Sequence, residues 1–262
     1  METSLNQALT RNARSRYDYL RLMLEHRGAN KRFESLRQIH PQPLEELFPG
    51  ISQARAVMQF AVPTQASFGN MQPYELIVLS TLCNHLKPSL MLEFGTYDGL
   101  TTLHLAMNSP AEARVVTLDL HPDDPLRQQT TEDTFYTRGV TVGAHFQDTA
   151  SARKIEQVYC DTTKFDQMPY RGQVDFLFVD AGHAYELVRS DSEKALEMVR
   201  PGGVILWHDY HYTHDGVYTL LNGLAPSVPL KCVPNTTLVY HIGQPMGRRA
   251  ERAGRSSVEA KR

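Results

Sequence analysis

Three things are scarce in this sequence: cysteine, charge imbalance and long apolar runs. Only three cysteines, Cys83, Cys160 and Cys232, occur in 262 residues, and their scatter has no metal-ligand spacing. Each lies in or beside an apolar segment, so buried thiols are expected and a disulfide framework is not. The formal net charge is only -2, which argues against a general nucleic-acid binder. No apolar run approaches the ~20 residues that span a bilayer, so no membrane partner is expected. The first residues, METSLNQALTRNARSRYDYL, hold no apolar core of the signal-peptide type, and a cytoplasmic location is the expectation. Repeats and low-complexity linkers are missing as well. The ending, GRRAERAGRSSVEAKR, is basic and reads as a disordered, solvated tail.

What is present is a hydrophobic content of 41%, enough for one large domain with an extension. The reading divides the chain into a helical N-terminal extension (1–70), a main domain (71–243) and the tail (244–262). An apolar stripe in the extension, Tyr17, Leu20 and Leu24, is open to three uses: core packing, a cover for a pocket, or pairing with a second copy in a homo-oligomer.

Within the domain, helical and strand patterns alternate. A helix runs from Pro73 to Leu86 and stops before Lys87-Pro88. Strands follow at Leu90–Phe94, Arg114–Asp119, Ile155–Cys160, Val174–Val179 and Val204–Trp207. Helices are expected over Leu100–Met107, Ala184–Val199 and Val217–Leu224, with Pro201-Gly202-Gly203 stopping the second. Residues 121–153 are polar and carry short helices at most. Runs around Leu230–Val233 and Thr237–Ile242, split by Pro234-Asn235, read as a hairpin. Such alternation predicts an α/β, Rossmann-like fold with a mostly parallel sheet, helices on both faces and an antiparallel C-terminal edge. The strands are apolar throughout, as burial on both faces requires.

An acidic residue closes each predicted parallel strand: Glu93, Asp119, Asp161, Asp180 and Asp209. Strand carboxyl ends share one rim in an open sheet, where ligands bind. The first turn, Gly95-Thr96-Tyr97-Asp98-Gly99, lets backbone approach a ligand closely, and Glu93 stands ready to accept its hydrogen bonds. The turn is G-x-x-x-G, not the G-x-G-x-x-G of dinucleotide sites, and no phosphate-binding G-x-x-x-x-G-K-[ST] loop occurs. Its acidity disfavours a pyrophosphate and favours a ligand with positive charge or hydroxyls. S-adenosylmethionine, with its sulfonium, ammonium and ribose diol, fits. Asp119, 26 residues after Glu93, suits the diol, since two hydroxyl donors match two carboxylate oxygens. Asp161 is placed either to meet an adenine edge or to cap a turn with Thr162-Thr163.

EFGTYDG, the LD that ends the second strand, VDFLFVDAGHAYE and VRPGGVILWHDY together resemble a class I S-adenosylmethionine-dependent methyltransferase. More narrowly, they resemble the small-molecule group of macrocin-type sugar O-methyltransferases and cephalosporin-hydroxylase-like proteins. The resemblance spans residues 70–243 and implies a seven-stranded sheet with an antiparallel last strand. It also implies a small-molecule methyl acceptor, a sugar or a secondary metabolite.

Asp180-Ala181-Gly182-His183 and His208-Asp209 follow adjacent strands ~5 Å apart, so the two clusters face one another. Asp180 and Asp209 offer hard oxygen ligands for Mg²⁺, and His183 a general base. A metal lowers the pKa of a hydroxyl and a base removes its proton. The resemblance carries a D-x-x-H unit, metal ligand and base, onto Asp180 and His183. The family's fifth-strand acidic pair falls on His208 and Asp209, so His208 replaces a carboxylate; an imidazole ligand favours Mn²⁺, Fe²⁺ or Zn²⁺. His211 and His214 extend the cluster as HDYHYTH and read as exposed. Tyr185, Trp207 and Tyr210 read as packing residues. A metal-dependent hydrolase or oxygenase, and a non-catalytic cofactor-binding protein, are the competing readings.

Overall fold

The computed structural model describes residues 37–60, 69–128, 137 and 139–244. The stripe of Tyr17, Leu20 and Leu24 and nearly all of the basic tail lie outside the described residues. A single-turn helix α1 (Leu44–Leu47) precedes α2 (Pro73–Leu86). The chain then runs β1 (Leu90–Phe94), α3 (Leu100–Met107), β2 (Arg114–Asp119), β3 (Ile155–Tyr159) and β4 (Val174–Val179). It ends with α4 (Tyr185–Met198), β5 (Val199–Trp207), α5 (Asp215–Leu224), β6 (Lys231–Cys232) and β7 (Val239–Ile242).

The strands form one seven-stranded sheet in the order β3-β2-β1-β4-β5-β7-β6. The first five are parallel; β7 pairs antiparallel with β5 and with β6. The expected hairpin is therefore present, with its second strand inserted next to the parallel set. The alternation of side chains along each strand splits the core. Met91, Val115, Phe176, Phe178, Val204 and Leu206 face a layer that includes Leu76, Leu79 and Leu82 of α2 and Leu105 of α3. On the other face Trp207 is fully buried and donates its indole N–H to Ser192 Oγ of α4 at 2.9 Å. Helices thus cover both faces, which is why β1, β2, β4 and β5 carry buried apolar residues on both.

Helix α2 starts where the sequence demands. Pro73 supplies a fixed φ at the first helical position, and Glu75 reaches back to the Gln72 N–H at 3.3 Å. Part of the segment read as an extension packs into the same core, through Ile39, Phe48 and Ile51. Its residues 40–42 also cover the outer edge of β6: the Gln42 N–H donates to Cys232 O at 3.0 Å and the Cys232 N–H to His40 O at 3.3 Å.

Several boundaries differ from expectation; α5, for one, begins at Asp215 and not at Val217. β3 ends at Tyr159, leaving Cys160 in the following turn. α4 begins and ends one residue inside its expected span. Pro201-Gly202-Gly203 is not a loop between helix and strand but lies within β5, where pairing with β4 shifts register between Val174 and Phe176. The irregularity needs glycine, since a Cβ on Gly203 would stand 2.8 Å from Val174 O. Cys160 is half-buried rather than buried, unlike Cys83 and Cys232.

Glu93, on the central strand, is wholly buried. One oxygen accepts from the hydroxyls of Thr102 and of Thr117, the latter at 2.6 Å; the other has no hydrogen-bond partner. Burial pushes its carboxyl up to about 8 from 4.5, against the pull of the two threonines. Because the folded-state value is raised, the unfolded chain releases this proton first. Between about 4.5 and 8, rising pH therefore favours unfolding by up to about 1.4 kcal/mol per unit. Glu93→Gln has no proton to lose. Its stability relative to the native protein is expected to climb between about pH 5 and about pH 8 in urea unfolding; a difference that stays constant with pH would show that Glu93 is ionised when folded.

Candidate active site

The carboxyl ends of the five parallel strands form a rim, in the order β3, β2, β1, β4, β5. The chain leaves β1 toward β2 and later returns to β4 on its other side, so a crevice opens between β1 and β4. Gly95 stands at that switch point with φ +97°, and a Cβ there would lie 2.3 Å from the Asp180 carbonyl oxygen. Only glycine fits, because the ends of β1 and β4 touch through their backbones. A cavity of about 580 Å³ runs along the rim, within the ~300–1,000 Å³ usual for ligand clefts. It is lined by Gly95, Thr96, Tyr97, Asp119, Asp161, Asp180, His183, His208 and Asp209, among others.

Three residues of the expected cofactor set do not line it. Glu93 sits beneath the turn, where its oxygen meets the threonine hydroxyls rather than a ligand. Asp98 accepts from Asn70 Nδ2 at 2.7 Å and from the Leu100 N–H at 3.1 Å, and faces His145 Nε2 at 3.3 Å. That pins the loop after β1 instead of presenting a carboxylate to the crevice. Gly99 is needed for packing: a Cβ would press on Phe146 and Gly143.

The others are held in place. Thr96 Oγ1 meets Thr117 Oγ1 at 2.7 Å and accepts from Gln157 Nε2 at 3.0 Å. The Tyr97 N–H donates to Asp119 Oδ2 at 2.8 Å, while Arg127 pairs with Asp119 Oδ1. Burial pushes the Asp119 carboxyl up, against Arg127 and the Tyr97 N–H. Asp161 lines the cavity and also caps the next turn, accepting from the Thr163 N–H at 2.9 Å and pairing with Lys164 at 2.9 Å. Burial opposes its ionisation, but Thr163 and Lys164 hold its carboxyl below the usual range.

On the far side of Gly95, β4 and β5 bring the expected residues together. His183 Nε2 lies 2.8 Å from Asp209 Oδ2. His208 Nδ1 lies 3.3 Å from Asp180 Oδ1 and 3.2 Å from Asp209 Oδ2. Asp209 adopts φ +59°, a left-handed conformation that Asp tolerates better than most residues. Its N–H donates to Thr237 Oγ1 at 3.2 Å. Burial works against ionising Asp209, yet the His208 charge and the hydrogen bonds from both histidines hold it well below the usual range. Burial pushes Asp180 up, against His208.

Four residues of the lining were not anticipated as such. Glu75 accepts from His208 Nε2 at 3.1 Å through Oε2, and from the Thr237 N–H and hydroxyl at 2.6 and 2.9 Å through Oε1. The available signal was an acid on the apolar side of a helix otherwise buried there. His214, read as exposed, turns inward to line the cavity, its ring stacked on His183 at 4.2 Å and 27°. Arg127 and Thr237 gave no signal in the sequence. Trp207 and Tyr210 pack in the interior as expected, while Tyr185 is exposed.

The donor set decides what fits. Carboxylates dominate the described lining, and its one arginine is already paired with Asp119. A pyrophosphate finds no free cation there; a ligand bearing positive charge and a diol finds Asp119, Asp161 and Asp180. The residues present therefore fit S-adenosylmethionine. The metal set is different. Asp180, His208 and Asp209 do converge, with ligand atoms within 4.8 Å of one another. Both ring nitrogens of His208 face carboxylates, however, and carboxylates only accept. His208 therefore carries both protons, and the surrounding acids hold it well above its ordinary value in spite of burial. An ion bound there would have to displace a proton from His208, which otherwise supplies the positive charge between Asp180 and Asp209.

Residues 92–210, from β1 to just past β5, match a family described as a methyltransferase domain. No curated protein matches the chain. Among solved structures, the O-methyltransferase TomG from Streptomyces achromogenes, involved in tomaymycin synthesis and bound to SAM, has a TM-score of 0.51 at 16% identity, over 80% of this chain and 94% of that one. The SAH-bound methyltransferase PaMTH1 from Podospora anserina has a TM-score of 0.50 at 14% identity, over 85% of this chain and 96% of that one. At those identities the two show a shared fold. The family match over residues 92–210, the seven-stranded topology and the acidic cavity at the switch point agree: the chain carries a methyltransferase domain with the fold of the class I S-adenosylmethionine-dependent enzymes.

Proposed function

We propose that the enzyme methylates a hydroxyl oxygen of a small molecule, a sugar or a secondary metabolite, with His183 as general base. One observation carries the reading: the His183–Asp209 pair and Asp119 open into one cavity on opposite sides of the Gly95 turn. When bound, S-adenosylmethionine supplies a methyl group made electrophilic by its sulfonium. Asp119 is the ribose-diol ligand, its carboxylate oriented by the Tyr97 N–H and Arg127. Asp161 and the Gly95–Tyr97 turn complete the cofactor side, and Asp180 faces the cationic end.

His183 removes the acceptor's hydroxyl proton. Asp209 fixes the ring through Nε2–H at 2.8 Å, so the other ring nitrogen accepts, and Asp209 then stabilises the imidazolium that forms. His208 tempers the field: its charge keeps Asp209 ionised without placing two bare carboxylates beside the forming alkoxide. The loss of cofactor contacts from Glu93, Asp98 and Gly99 shifts their role to holding the turn. No step here requires an ion between Asp180 and Asp209.

Two outcomes test this. His183→Ala is expected to lower kcat by roughly 10²–10⁴-fold with S-adenosylmethionine affinity retained, measured by steady-state kinetics and calorimetry; unchanged turnover would remove the base. Asp119→Asn is expected to weaken S-adenosylmethionine binding by roughly 10–100-fold, the worth of charge-assisted hydrogen bonds. If the native protein bound no cofactor at millimolar concentration, the whole reading would fail.

A further inference from the structure

The chain leaves β5 through a residue that the strand ladder does not hold. The antiparallel register that pairs Trp207 with Val239 would set Asp209 opposite Thr237. Asp209 breaks from that ladder with φ +59°, a left-handed conformation that costs a residue with a Cβ energy even where, as with Asp, it is tolerated. Such a backbone persists where its surroundings over-determine it. Thr237 supplies two of the bonds that do so. Its Oγ1 accepts the Asp209 N–H at 3.2 Å, and its carbonyl oxygen accepts the Tyr210 N–H at 2.9 Å. Two successive amides thus end on one residue, the first on its side chain and the second on its backbone. Beyond them the turn closes, with the His211 N–H on Asp209 O at 2.7 Å.

Thr237 is itself anchored. Its N–H and its hydroxyl both donate to Glu75 Oε1, at 2.6 and 2.9 Å. A hydroxyl donates and accepts at once, so the same oxygen that binds α2 can receive the Asp209 amide. The loop before β7 does not need this hydroxyl. Its neighbour Thr236 makes the bonds that close the loop, donating to Val233 O at 2.9 Å and accepting from the Leu238 N–H at 3.0 Å.

We infer that Thr237 is a positioning residue for methyl transfer: its hydroxyl holds the Asp209 backbone in the left-handed turn that aims the Asp209 carboxylate at His183. The kinetic consequence rests on His183 as base. Asp209 Oδ2 lies 2.8 Å from His183 Nε2, and the direction in which the carboxylate leaves the chain follows φ. Relaxing that φ toward the extended region swings the carboxylate off the ring, and a displacement of ~1 Å in such a group can cost ~10²-fold in rate.

Amide exchange reads the clamp without any acceptor. In the isotope-labelled full chain followed by NMR, the Asp209 amide is expected to exchange slowly with solvent. Thr237→Val keeps the branched shape and removes the hydroxyl. It is expected to speed that exchange by roughly 10-fold relative to the Leu206 amide within β5, the worth of one hydrogen bond. Scaling to Leu206 in the same variant separates loss of the clamp from loss of global stability, and Thr237→Ala serves the comparison where valine disturbs folding. Thr237→Ser is expected to restore slow exchange, and Thr236→Val to leave it as in the native protein. Equal scaled exchange with and without the Thr237 hydroxyl, or no recovery in Thr237→Ser, overturns the inference. In a second arm, methyl transfer from labelled S-adenosylmethionine is scored on the best acceptor in a panel of methyl hexosides and simple phenols. Thr237→Val is expected to lower kcat by roughly 10–100-fold, with acceptor KM and calorimetric cofactor affinity retained, and Thr237→Ser to recover it. An unchanged kcat in Thr237→Val, where His183→Ala abolishes turnover, would overturn the positioning role and leave the base in place. Turnover indifferent to both substitutions would overturn the base, and the exchange arm then decides the clamp by itself.

Discussion

A single buried imidazolium holds the active end of this protein together. His208 lies between Glu75 on one side and Asp180 and Asp209 on the other, at 3.1–3.3 Å from each. Those partners come from the start of α2, the end of β4 and the end of β5. Glu75 reaches further, to Thr237 ahead of β7. One charge therefore joins four segments far apart in sequence. Taking such a group out of water costs several kcal/mol, and only a full set of hydrogen bonds repays it. Here the set is full: both N–H groups have acceptors, and both Glu75 oxygens have donors. The arrangement is a poor way to gain stability and a good way to fix geometry.

The second constraint is steric and lies in backbone contacts. At Gly95 the ends of β1 and β4 meet, and at Gly216 the start of α5 meets the chain at His183. The first contact sets the crevice between the Asp119 and His183 sides of the cavity. The second sets which side chains share the His183 side, because it stacks His214 on His183. Packing forces and charge thus act on different parts of the same site. Glycines decide how near the segments come, and the imidazolium decides how their acids are oriented and charged.

The fold was largely legible because its signals are local. Apolar runs ended by an acid marked the parallel strands, and Pro73 and Lys87-Pro88 bracketed α2. The exception is instructive: Pro201-Gly202-Gly203 has the composition of a turn but lies in a strand, because β4 runs close enough to exclude a Cβ at Gly203. That is a tertiary fact, and no local pattern carries it. The site divides along the same line. Asp119, Asp161, Asp180, His183, His208 and Asp209 were found because strand ends share a rim. Glu75, Arg127, His214 and Thr237 reach that rim from helices and loops, and their approach depends on packing that sequence spacing does not encode.

The row of five acids shows why position alone overstates likeness. All five follow the same rule, yet burial and partners give each a separate state. Glu93 lies under the turn with one oxygen unpartnered, and burial raises it toward neutrality. Asp161 spends its oxygens on a turn and a lysine. Asp119 keeps a face to the cavity although Arg127 and the Tyr97 N–H already hold it. Asp180 and Asp209 share one imidazolium unequally: burial raises the first, whereas a second histidine helps to hold the second ionised. A rim of five equal charges would repel its own members and attract any cation without selection. Dividing them into a buried support, a turn cap, a carboxylate held by Arg127 and an imidazolium-bridged pair gives each acid its own partner, an arrangement that suits the methyl transfer proposed above.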